Sequence, residues 1–150
     1  MVISPTPQFN NEPTVLCVID FTPSAEDTLK SAVQLAKKNK ARITVLHPYR
    51  LNQVVKKEDL SKLKRDIDEE AALNFKKISL VINNSNIPYD FRSEVGFLSD
   101  RIQEHVRKSN IKMLVMNKDL ADANRESLSE LIHQLELPFI IVPQSKPQKK

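Results

Sequence analysis

The sequence predicts an α/β domain built on a parallel sheet with helices on both faces. Five short apolar runs, at residues 14–20, 41–47, 89–95, 112–117 and 137–143, alternate with amphipathic helical patterns. Strands joined through a helix lie parallel, because such a crossover takes a dozen or more residues. Right-handed crossovers then put helices on both sides of the sheet. At 150 residues one core is the default.

The lead-in 1–13 is broken by Pro5, Pro7, Asn11 and Pro13 and reads as an irregular, flexible tail. From Thr14 to Asp20 the chain is almost continuously apolar, as expected of a strand covered on both faces. Ser24 and Asp27 then stand as a capping box, with Leu29, Ala32, Val33 and Ala36 following at helical spacing. Residues 41–47 form the second strand, which Pro48 is expected to end because it cannot donate to a ladder.

Between Lys57 and Ile82 the positions Leu60, Leu63, Ile67, Ala71, Phe75, Ile78 and Ile82 recur at threes and fours, the mark of a long amphipathic helix. Tyr89 to Val95 alternates apolar and polar, which suits a half-exposed edge strand, and Gly96 supplies the turn after it. A third helix carries Leu98, Ile102 and Val106, and the apolar run from Lys112 to Asn117 follows. A polar stretch, 118–124, leads to a helix bearing Leu128, Leu131, Ile132 and Leu135, and then to a last strand over 137–143. The organisation expected is a lead-in over 1–13, a domain over 14–143 and a basic tail over 144–150.

Composition excludes several functions. Lys146, Lys149 and Lys150 supply three of the four net positive charges, so basicity is mostly a property of the tail and gives little reason to expect nucleic acid. No segment approaches the roughly 20 apolar residues that span a bilayer, and the lead-in lacks a signal-peptide pattern, so a cytoplasmic protein is expected. Cys17, the single cysteine, lies in an apolar run and reads as a small hydrophobe. His47, His105 and His133 are far apart and match no metal-ligand spacing, so no metal site is expected. The serines lack a nucleophile-elbow context, and Gly96 is the only glycine in the chain. A phospho-receiver would need an acidic pair after the first strand, where Ile19 precedes a lone Asp20. No catalytic residue and no cofactor are therefore expected.

The order of these pieces resembles the universal stress protein family. The resemblance rests on the run from Val15 to Asp20 with its Thr-Pro-Ser turn, Ala-Val-Gln-Leu-Ala at 32–36, and Ala-Arg-Ile-Thr-Val-Leu-His at 41–47. Glu-Val-Gly-Phe at 94–97, Met-Leu-Val-Met at 113–116 and Leu-Pro-Phe-Ile-Ile-Val-Pro at 137–143 complete it. It implies a five-stranded parallel sheet in the order 3-2-1-4-5, Rossmann-like and similar to the adenine nucleotide alpha hydrolases, with residues 89–95 at one edge.

The resemblance also implies a test for ATP. Family members that bind it follow the fourth strand with a glycine-rich phosphate loop. Here Asn117 stands at the first glycine, Leu120 at the second, and Glu130 and Leu131 at the last pair. Anchoring on Pro138 instead puts Arg125 and Glu126 at that pair and leaves the loop about five residues shorter; neither register offers a glycine. Phosphate needs main-chain N–H groups that it can approach without interference from Cβ, and Asp119, Asp122 and Glu126 would add negative charge. The chain is thus expected to have lost ATP binding and to act without catalysis, through dimerisation or partner contacts in stress adaptation.

The alternative is a small-molecule module, for adenine nucleotide or another ligand, using the crevice near Asp20, His47 and Asn117; Asp20 matches the family's nucleoside-contacting acid. The last strand, with Phe139, Ile140, Ile141 and Val142, carries no charge to block pairing and is expected to join two copies about a two-fold axis, the common arrangement in the family.

Overall fold

The computed structural model describes residues 1–3, 12–51 and 56–145. In chain order the elements are β1 (Val2–Ile3), β2 (Thr14–Val18), α1 (Ala25–Asn39), β3 (Arg42–Tyr49), α2 (Lys57–Ile78) and α3 (Leu80–Asn83). They continue as β4 (Tyr89–Val95), α4 (Leu98–Lys108), β5 (Ile111–Asn117), α5 (Lys118–Ala123), α6 (Arg125–Gln134) and β6 (Phe139–Val142). The sheet runs β1-β4-β3-β2-β5-β6. Its last five strands are parallel in the order anticipated, and β1 adds an antiparallel sixth.

Strand alternation divides the core into two layers. Val15, Cys17 and Ile19 face one side with Leu29, Ala32, Ala71, Phe75 and Ile82, from α1, α2 and α3. Leu16 and Val18 face the other with Leu98, Ile102, Leu128 and Leu131, from α4 and α6. The strand β2 is buried at every position because it lies between β3 and β5 with helices above and below. Burial pushes the Cys17 thiol far above its ordinary range, which keeps it protonated. No helix among the described residues is long and apolar enough to cross a membrane.

Several sequence expectations need correction. Residues Val2 and Ile3 of the lead-in pair with Arg92 and Phe91, so β4 is not an edge. Its alternation has another cause: Asp90, fully buried, accepts from Thr44 Oγ1 at 2.8 Å, Arg42 Nη2 at 3.3 Å and Arg92 Nε at 2.7 Å. Residues 4–11 and the tail lysines 146, 149 and 150 lie outside the described residues.

Pro48 does not end β3, which runs on to Tyr49. The pairing of β3 with β2 stops at Leu46, whereas Tyr49 O still accepts from Gly96 N at 2.8 Å on the β4 side. The donor missing at Pro48 would face the side where β2 has already ended. Gly96 itself has φ +147, a conformation that favours glycine.

The long helix breaks at Ser79 into α2 and α3, with Ser79 Oγ donating to Lys76 O at 2.9 Å. The polar stretch after β5 is helical: α5 begins directly at Lys118, with Asn117 as its N-cap residue. No loop separates that strand from that helix.

Candidate functional site

In an open parallel sheet, ligands collect beyond the carboxyl ends of the strands, where neighbouring crossovers leave in opposite directions. Here that point lies over β2 and β5, since the chain moves from β2 to β3 on one side and enters β5 from α4 on the other. The sequence-predicted residues Asp20 and Asn117 end these two strands and meet there. Asn117 is 0% exposed.

Its side chain closes the joint between them. Asn117 Nδ2 donates to Asp20 Oδ1 at 2.5 Å, and also lies 2.9 Å from Thr22 Oγ1 and 3.1 Å from Ser24 Oγ. Its Oδ1 accepts the Asp20 backbone N–H at 3.2 Å. Thr22 Oγ1 donates to Asp20 Oδ1 at 2.7 Å, and Ser24 Oγ donates to Asp119 Oδ2 at 3.0 Å. The turn after β2 is therefore tied to the start of α5 by side-chain hydrogen bonds and by one from the Asp20 backbone N–H.

This arrangement overturns the capping-box reading of Ser24. It does occupy the N-cap position of α1, but its side chain makes no cap bond and enters the crevice network. Thr22 and Ser24 were not anticipated as site residues, because single hydroxyls leave no periodic trace; Asp119, expected to bring negative charge to the phosphate position, is the carboxylate that Ser24 holds.

His47, the third predicted residue, stands beside this network without a direct bond to Asp20 or Asn117 among the described residues. Its Nδ1 lies 3.3 Å from Ile19 O; a carbonyl only accepts, so Nδ1 carries the proton. Burial lowers its pKa, outweighing the Ile19 hydrogen bond and the charges of Asp20 and Asp68. A neutral ring results near pH 7. Phe21 lies 5.0 Å away centroid to centroid, and Tyr49 stacks at 5.8 Å.

Chemically, the crevice holds two carboxylates, Asp20 with its donors on Oδ1 and Asp119 bonded to Ser24, together with a neutral imidazole and an amide with both of its polar atoms engaged.

The predicted contact strand, β6, pairs with β5 from Leu114↔Phe139 to Asn117↔Val142 and has no neighbour on its outer side among the described residues. Phe139 and Ile140 are half-buried, Val142 is buried, and Ile141 is 40% exposed.

Comparison with known proteins gives a consistent fold. The sequence matches the universal stress protein family over residues 13–119. Among curated proteins the sequence finds no match. A universal stress protein from Archaeoglobus fulgidus, solved in complex with dAMP, superposes with TM-score 0.63 at 17% identity, covering 89% of this chain and 99% of that one. Another universal stress protein, solved in complex with cAMP, gives 0.63 at 16%, over 89% and 99%. A member of the family from Burkholderia pseudomallei gives 0.68 at 17%, over 87% and 95%.

Proposed function

We propose that this chain, which belongs to the universal stress protein family, acts without catalysis in stress adaptation, through dimerisation or partner contacts, and does not take ATP in its crevice. One observation carries the reading. The fully buried Asn117 side chain fills the joint at which a phosphate loop would begin, bonded to Asp20, Thr22 and Ser24.

A triphosphate binds to free main-chain N–H groups at a glycine-rich turn. In this chain β5 passes into α5 without such a turn, and the Asp119 carboxylate at its start is held by Ser24. Admitting a phosphate means breaking hydrogen bonds that are already made, and bringing its charge toward a carboxylate. Contact with other chains falls to β6, whose outer edge is apolar and uncharged and suits pairing with a second copy.

A second reading is favoured by the relatives solved with dAMP and cAMP. A nucleoside monophosphate asks less of the phosphate loop than ATP does and would lie near Asp20 and His47. Calorimetric titration with ATP, ADP and AMP, with light scattering for mass, separates the two. The proposal expects no heat of binding and a dimer. Micromolar ATP affinity overturns it, AMP binding alone supports the second reading, and a strict monomer removes the β6 contact.

A further inference from the structure

On the opposite flank of the molecule, far from β6 in the strand order, β1 and α2 enclose an open groove of about 580 Å³. Met1, Ile3, Ala72, Leu73 and Phe75 give it an apolar lining, and Glu69 and Lys76 stand on the same wall. Leu73, on α2, is 63% exposed. A large apolar side chain left this open beside an apolar groove marks a contact surface.

The charges say what fits. Glu69, Ala72, Leu73 and Lys76 follow the i, i+3, i+4, i+7 rule and share one face of α2. Glu69 and Lys76 are two turns apart, about 10 Å along the axis, too far to pair with each other. Both are exposed, and neither forms an ion pair among the described residues. They lie symmetrically about the Ala72–Leu73 midpoint. A second α2, antiparallel about a two-fold axis through that midpoint, sets each Glu69 opposite a Lys76 and each Leu73 beside the partner's Ala72. A surface that matches itself under a two-fold rotation is what an isologous contact requires.

We infer that the α2 groove binds a second copy of this chain, α2 against α2 in antiparallel register, with Leu73 seated in the partner's groove and two Glu69–Lys76 pairs flanking it. The contact is independent of the β6 edge. A single helix crossing buries less than the roughly 800 Å² per partner of a standard interface, so it is weak and concentration-dependent. Together the two contacts would join dimers into larger assemblies.

Sedimentation across a concentration series tests this on the full chain, in an Ile141→Lys background that blocks β6 pairing. The expected result is residual self-association, weakened roughly tenfold or more by Leu73→Glu and by either Glu69→Lys or Lys76→Glu alone, and regained in the Glu69→Lys/Lys76→Glu double variant. These positions are exposed, and unchanged melting temperatures would verify the fold. A monomeric Ile141→Lys chain overturns the inference while leaving the β6 reading intact. So does a double variant that fails to recover. A Leu73→Glu variant that melts lower without changing mass overturns it too, assigning the groove to a segment of its own chain.

Discussion

The crevice over β2 and β5 and the groove beside α2 are opposites. In the first, polar side chains converge and satisfy one another: Asn117 bonds to Asp20, Thr22 and Ser24, and Ser24 passes the chain of bonds to Asp119. In the second, apolar side chains from Met1, Ile3, Ala72, Leu73 and Phe75 converge, with Glu69 and Lys76 beside them. The difference decides where binding energy is available. A ligand entering the crevice exchanges one set of hydrogen bonds for another and gains little, whereas a partner covering Leu73 removes apolar surface from water at about 25 cal/mol per Å². On the reading proposed above, the place where the fold conventionally binds ligands is filled by its own side chains, and a flank of the sheet is open.

Substitutions can break that contrast at either end. The largest effect is expected from Asn117→Ala. It strips donors from Asp20, Thr22 and Ser24 in a buried setting and should cost about 2–4 kcal/mol in urea unfolding. A loss below about 0.5 kcal/mol would mean that the network does not hold the crevice shut. Ser24→Ala removes the link to Asp119 but leaves Asn117 two acceptors, so about 1 kcal/mol is expected from the same measurement.

On the α2 side, Asp68 links stability to acid. Burial raises the Asp68 carboxyl, but hydrogen bonds from Lys64 at 2.8 Å and Tyr49 at 2.9 Å, with the N-terminal charge, outweigh it and hold the group below its usual range. A carboxylate depressed in the folded state stabilises above its unfolded pKa, and that contribution fades as pH falls through the folded value. The stability gap between the wild type and Asp68→Asn should therefore be widest above about pH 5 and shrink below about pH 4. A gap that widens in acid would reverse the sign assigned here. Smallest of all, Leu73→Gln should change unfolding stability by no more than about 0.5 kcal/mol, since Leu73 is exposed and belongs to neither core layer.

Much of the sheet was legible because a central parallel strand is apolar on both faces. Residues 14–18 show that directly, whereas the order of the five parallel strands came from the family resemblance. What escaped notice lacked periodicity. β1 is two residues, Val2 and Ile3, in a proline-broken segment, and without it β4 reads as an edge. Asp90 deepened the error, since a charge in an alternating strand suggests solvent when here it is a buried carboxylate paired with the buried Arg42 and the half-buried Arg92. At the site, Asp20 and Asn117 could be found as the ends of neighbouring strands. Ser24 could not: its spacing to Asp27 imitates a helix cap, and its actual partners lie on the far side of the sheet's switch point.

The contrast stands or falls on the Asn117 side-chain amide, which reports on the crevice directly. In a nitrogen-15 spectrum recorded with and without saturating ATP and magnesium, its Nδ2 resonances and the Asp20 backbone N–H should keep their positions and their slow exchange with solvent. Movement of both signals together with ATP concentration would show the joint opening to a nucleotide, and would contradict the closed crevice.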